Sequence, residues 1–249
     1  MTSKNKQALI IFIDDENRGK VERQFEGALG QEQQRRLYRA FVEDTIANCL
    51  TLSDIYLRVH CTKGQTAKIV KEVVKELADS ISAGQSKTYK STRFAVVEST
   101  GRSMGKRLSN AFKSTFDDGF NRVALIGCVT PTLQTNVIKS ALNMIASKDL
   151  VIGPTHEGSY YLIAASRYLP EIFENVEWSD DSHLYSQMVK ASRENGYNWD
   201  EMDLWYDLRH PEDLEFLVTD INHFRLVGDE QTASKTEAML GEILKNLPG

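Results

Sequence analysis

The sequence is short of the residues that cross-link, ligate or anchor a chain. Only three cysteines occur in 249 residues, Cys49, Cys61 and Cys128. They show no CxxC or other metal-ligand spacing. All three lie in or beside apolar segments, so buried free thiols in a reducing compartment are expected. Positive charge is not in excess: 30 Lys and Arg face 35 Asp and Glu, a formal charge of -5. That balance argues against a nucleic-acid partner, which usually needs a basic face. No apolar run approaches the roughly 18–20 residues of a membrane span. The first seven residues are polar, and the apolar run after them is too short for a secretory core with a cleavage site. A cytoplasmic protein is therefore expected. The fingerprints GxGxxG, GxxxxGK[ST], HExxH and GxSxG are all missing, which removes the familiar dinucleotide, P-loop, zincin and hydrolase readings. There is no internal repeat, low-complexity tract or obvious linker.

What remains is an ordinary core-forming composition, 41% hydrophobic, arranged as alternating strands and helices. The chain is organised around 122–133, where the apolar run Val123–Gly127 meets a turn marked by Pro131. A run that is apolar on both faces suits a central strand of a parallel sheet. Gly127 is expected to let the backbone turn, and the loop 128–132 should lie on the wall of any site, because ligands of open α/β sheets sit where such strands end. Further strands are predicted at 8–13, 55–60, 94–97, 150–152 and 160–164. Helices are predicted at 31–52, 65–82, 101–116, 134–147 and 180–195, with another opening at Pro211. This alternation predicts an α/β fold with a mostly parallel sheet covered on both faces. Residues 1–220 are read as one domain and 221–249 as a C-terminal helical extension. Its stripe Met239, Leu240, Ile243, Leu244 and Leu247 is expected to pack on its own domain, with a homodimer or protein partner as the alternative.

Several segments carry a resemblance. Leu125-Ile-Gly-Cys-Val-Thr-Pro-Thr-Leu133 resembles the "LIGSDCPDL" segment of a bacterial family of GT-A-fold, nucleotide-diphospho-sugar-transferase-like proteins. That family includes selenodomain-associated and arsenosugar-type glycosyltransferases and is similar to MobA-type nucleotidyltransferases. Gly153-Pro-Thr-His-Glu-Gly-Ser-Tyr-Tyr-Leu-Ile163 is similar to its "GPAxDGGYYLIG", the most specific match. Gly101-Arg-Ser-Met-Gly-Lys-Arg-Leu108 resembles "GxDLGxRL", Trp178-Ser179 its "WS", and Tyr206-Asp-Leu-Arg-His-Pro-Glu-Asp-Leu214 its "YDVDTPEDL". The order holds from about residue 8 to 218. The resemblance implies a Rossmann-like GT-A three-layer sandwich and transfer of a sugar from a nucleotide-diphosphate donor to an acceptor. A nucleotidyltransferase would use the same cleft.

The departures fall where the chemistry should be. The family's basic first loop, "FAKxPxxGxVKTRL", here has Asp14 for its first lysine, and Glu22 and Gln24 for the lysine and arginine of "KTRL". Gly19 and Val21 remain, and Arg18, Lys20 and Arg23 partly restore the charge against Asp14, Asp15, Glu16 and Glu22. A pyrophosphate needs net positive charge or aimed N–H groups. The aspartate expected to hold Mg²⁺ or Mn²⁺ is replaced by Val129, which cannot ligate a hard cation. Thr132, Ser103 and Arg209 replace three more aspartates. Glu157 and Asp207 are the carboxylates left at matching places and are the expected catalytic acids and the candidate metal ligands. Asp14, Asp15, Arg18, Gly19, Arg23, Gly101, Ser103, Arg107, Cys128, Val129, Thr130, His156, Gly158, Tyr160 and Arg209 are expected to line the substrate site. The bland reading makes Glu157 and His156 solvated loop residues and Asp207 a cap for the helix at Pro211. On the functional side, a catalytically inactive relative that binds another protein stands as the alternative to the enzyme.

Overall fold

The computed structural model describes residues 6–15, 19, 25–82, 94–179, 181–208 and 210–245. Seven strands form one sheet: β1 (Gln7–Ile13), β2 (Tyr56–Cys61), β3 (Phe94–Glu98), β4 (Arg122–Ile126), β5 (Leu150–Pro154), β6 (Tyr160–Ala165) and β7 (Trp199–Glu201). Their order is β3-β2-β1-β4-β6-β5-β7. β1 runs parallel to β2 and β4, β2 to β3, and β5 to β7. β6 alone is reversed, pairing antiparallel with both β4 and β5. The mostly parallel α/β sheet expected from the alternation is present.

The two faces hold separate cores. Leu9, Ile11 and Ile13 of β1 meet one side, where α1 (Gln31–Cys49), α2 (Gln65–Ser82), α4 (Thr135–Met144), α7 (Asp213–Leu226) and α8 (Ser234–Lys245) pack. Ile10 and Phe12 meet the other, covered by α3 (Met104–Asp117), the short α5 (Glu171–Glu174) and α6 (Leu184–Glu194). Alternate residues of one central strand thus feed both cores, which is why β1 and β4 read as unbroken apolar runs. Gly127 follows β4 without a left-handed backbone angle, so the turn expected there comes from the residues after it.

The C-terminal stripe is covered within the chain. Met239, Leu240 and Ile243 are buried, and α8 lies along α1. Asp44 of α1 fixes the start of α8 by accepting the N–H groups of Lys235 at 3.0 Å and Thr236 at 2.7 Å. The physical reason for a partner through those three residues is therefore removed, while Leu247 and the side chain of Leu244 lie outside the described residues. Residue 220, the expected boundary, lies inside α7. No described helix is long and apolar enough to cross a membrane.

One buried group carries a pH prediction. His60 of β2 is 2% exposed. Burial, with the nearby charge of Arg58, pushes its pKa down to about 3. An unfolded chain takes up this proton below about pH 6.5 and the folded chain does not, so stability falls as pH drops through that window. At pH 5 the cost is about 2 kcal/mol, from 1.5 pH units at about 1.36 kcal/mol each. Urea unfolding at pH 7 and pH 5 should show that loss in the native sequence and a smaller one in His60→Leu. Equal losses would remove His60 as the source.

Candidate functional site

The chain crosses from β1 leftward to β2 and β3 and then rightward to β4. The crevice at that switch point, beyond the C-terminal ends of β1 and β4, is where an open α/β sheet holds a ligand. The sequence-predicted residues fall into two groups, one at the tip of β1 and one at the tips of β4 and β5.

The first group surrounds the tip of β1. Asp14 is 1% exposed, and its Oδ2 lies 2.8 Å from Nε of Arg107 on α3. Ser103 caps α3, its hydroxyl accepting the N–H of Lys106 at 3.3 Å, with Gly101 in the turn just before. Asp15 is turned away to another task. Its backbone N–H donates to Oγ1 of Thr62 at 3.0 Å, and its carboxylate accepts the N–H of Thr66 in the first turn of α2 at 3.1 Å. A carboxylate there satisfies an orphan helix donor and meets the positive end of the dipole. Gly19 is described and partly exposed, whereas Arg18 and Arg23 lie outside the described residues.

The second group surrounds the tips of β4 and β5. Leu208 N–H donates to the carbonyl of Val129 at 3.2 Å, which draws Asp207 to the β4 loop. Thr155 forms a parallel bridge with Trp205, so the loop carrying His156 and Glu157 lies along the 205–208 segment. Asp207 is 7% exposed, too deep for a solvated cap, and α7 is instead opened by Glu212, with Asp213 accepting the His210 N–H at 2.7 Å. Glu157 is exposed and faces His210, Oε2 to Nε2 3.4 Å. His156 is exposed as well. Arg209, between these residues, is outside the described set.

The remaining expected wall residues are mostly occupied with packing. Cys128 and Thr130 are buried, Val129 rests on the first core, and burial pushes the Cys128 thiol up to about 11. Cys49 and Cys61 are also buried and free. Tyr160 sits edge-on to Trp178, ring centroids 6.0 Å apart. The Trp178 indole in turn donates to the Phe173 carbonyl at 2.8 Å and lies where a Cβ on Gly105 would stand. The "WS" and "GxDLGxRL" resemblances thus mark one packing contact. Gly158 fits beneath the 181–183 turn, its carbonyl accepting the Tyr185 N–H at 2.9 Å.

Sequence reasoning missed a polar knot behind the β4 loop. Tyr206 OH donates to Oδ2 of Asp220 at 2.7 Å, and Thr132 Oγ1 lies 2.6 Å from the Tyr206 oxygen and 3.2 Å from the same carboxylate oxygen. Burial raises the Tyr206 pKa well above its usual range, so the phenol keeps its proton. It also missed His210 as the partner of Glu157. Tyr206 and His210 lie inside a recognised segment, but their partners are far away in sequence and no local spacing points to them.

Among the described residues the side chains at these places are turned to other partners, Glu157 to His210. Asp14 and Asp15 are turned to Arg107 and to α2, Val129 offers no oxygen from its side chain, and Thr132 is engaged with Asp220. Among the described residues no three His, Cys, Asp or Glu side chains converge to hold a metal.

Known structures share this architecture. A candidate nucleotide-diphospho-sugar transferase from Desulfovibrio desulfuricans G20 superposes with a TM-score of 0.73 at 24% identity, covering 96% of this chain and 97% of that one. A cytidylyltransferase from Leptospira borgpetersenii matches at TM-score 0.54 and 11% identity, covering 98% of each chain. The 4-diphosphocytidyl-2C-methyl-D-erythritol synthase of Anaerococcus prevotii gives 0.54 at 12% identity, covering 87% of this chain and 96% of that one. At these identities the likeness concerns the fold, which is that of GT-A and nucleotidyltransferase proteins. Comparison with curated proteins finds no significant match. A family profile matches residues 45–180, more than half of the sequence, and the chain belongs to that family, described as "uncharacterized protein conserved in bacteria (DUF2064)".

Proposed function

We propose that this protein is a nucleotide-diphospho-sugar-dependent transferase. The observation that carries the reading is the gathering of Asp207, Glu157 and the β4 loop at the switch point of the sheet. Glu157 is exposed and beside His210, so it can reach an incoming hydroxyl, whereas Asp207 is buried and suited to fixing the loop. In the reaction, a lone pair on the acceptor oxygen forms a bond to the anomeric carbon. The bond from that carbon to the phosphate oxygen breaks, its electron pair leaves with the diphosphate, and the acceptor proton passes to the Glu157 carboxylate. Position and orientation supply most of the rate, and a general base contributes about 10²–10⁴-fold. The α3 N-terminus supplies N–H groups and the positive end of a helix dipole for a diphosphate, beside the Asp14–Arg107 pair.

Melting curves with uridine, guanosine, cytidine and thymidine diphosphates test donor binding. A ligand at 100 times its Kd stabilises by about 2.7 kcal/mol, which for a chain of this size raises Tm by roughly 5–10 °C. Glu157→Gln should keep that rise and lose about 10²–10⁴-fold in transfer. A second reading, a relative that has lost catalysis and binds a protein, is favoured by the diversion of Asp14 and Asp15 into internal contacts. Flat melting curves with all four diphosphates would select it.

A further inference from the structure

A ladder of aromatic rings rises from the core beside the Glu157–His210 pair and ends in the open. Tyr161 is buried, and its ring centroid lies 6.4 Å from that of Trp205. Trp205 stacks on Tyr206 at 5.8 Å with an interplanar angle of 16°. Tyr206 meets Phe216 at 6.4 Å. Phe216 is 61% exposed, and Leu204, next to Trp205 in the chain, is 55% exposed.

Tyr206 cannot swing away, because its hydroxyl is held by Thr132 and Asp220, so the ring that backs Phe216 is fixed. Phe216 lies three residues beyond Asp213, whose carboxylate holds the His210 backbone. Residues three apart on a helix are surface neighbours, with Cβ atoms about 5–6 Å apart. Phe216 therefore lies one helical turn from the residue that holds His210, partner of Glu157, both members of that pair being about half exposed. A flat apolar face flanked by a carboxylate and an imidazole suits a molecule with one C–H-rich face and hydroxyls around its rim. The ring stacks on the former, and Glu157, which only accepts hydrogen bonds when ionised, takes the latter.

We infer that Phe216, backed by Tyr206, forms the acceptor platform, and that the acceptor is a neutral pyranoside whose hydroxyl is presented to Glu157. The inference rests on the transferase reading for the hydroxyl's role, but the platform's sugar binding is measurable by itself.

The experiment is saturation-transfer NMR from protein aromatic protons to methyl glucoside, galactoside and mannoside, with no donor present. Transfer to the ring C–H protons of at least one glycoside is expected in the native sequence. Phe216→Ser should bind it about tenfold more weakly, and Phe216→Trp should restore it. Exposure of Phe216 means that both variants should melt as the native protein does. Absence of transfer in the native sequence, or transfer undiminished in Phe216→Ser, overturns the platform. So does sedimentation showing a dimer that Phe216→Ser converts to a monomer, since a second copy would then be the occupant. Glycoside binding without any diphosphate-induced rise in Tm would keep the platform and discard the transferase. The reverse pattern would keep the transferase and discard the platform.

Discussion

Gly158→Ala should cost about 2–5 kcal/mol, enough to lower Tm by roughly 4–20 °C. Two penalties add. Gly158 has φ of +80°, a left-handed backbone that costs an L-residue about 1–2 kcal/mol. A Cβ there would also be driven into the Ser182 carbonyl. That oxygen belongs to backbone and cannot swing aside as a side-chain tip could, so overpacking adds about 1–3 kcal/mol. The loop has little freedom to absorb the strain. Thr155 and Ser159 close it through a backbone bond of 3.0 Å and a side-chain bond of 3.1 Å, and the Gly158 carbonyl holds Tyr185. Gly196→Ala is the matched control: φ is +68°, but nothing lies within 4 Å of its would-be Cβ. It should cost only about 1–2 kcal/mol. Urea unfolding of the two variants side by side checks the difference, and equal losses would show that the Ser182 contact carries no energy.

This contrast also shows which parts of the molecule were legible in the sequence. Helices with a clean apolar stripe and strands with unbroken apolar runs declare themselves, because burial imposes a period. α2 runs over the predicted 65–82, and β1 extends the predicted 8–13 by one residue. β7 escaped notice because three residues, Trp199-Asp-Glu201, carry no period. The reversal of β6 was equally invisible: Tyr160–Ala165 is buried from its second residue on, whichever way it runs. The helix expected from 180 begins at Leu184, after a 3-10 turn at Asp181–His183, a local trade of hydrogen-bond pattern that composition does not signal. At the site, the recognised segments proved to be recognisable largely through packing. Gly105 makes room for Trp178, Gly158 for Ser182, and Tyr160 leans on Trp178. Such constraints persist while chemistry drifts, so the fold was easier to read than the activity. The pairings that decide chemistry, Asp14 with Arg107 and Glu157 with His210, join residues 93 and 53 positions apart. Only the fold brings them together.

The Asp14–Arg107 pair yields the other large effect. Arg107→Met should destabilise the protein by about 3–5 kcal/mol, because it takes the guanidinium from a carboxylate that water scarcely reaches. Asp14 is 1% exposed and the Arg107 side chain 12%. Asp14→Leu alone should be costly for the converse reason, leaving a cation at the same place. The double variant Asp14→Leu with Arg107→Met should recover much of the loss, since removing a buried pair together spares the desolvation of both ions. Recovery will be partial, as both groups engage further neighbours. The measurement is a double-mutant cycle by urea unfolding. Additive losses would mean that the 2.8 Å contact contributes nothing specific. The same proteins separate structure from function. If Arg107 meets the donor's diphosphate, the double variant should fold well and still lose the diphosphate-induced rise in Tm. If the pair only holds α3 to the tip of β1, the rise should survive once stability has been restored.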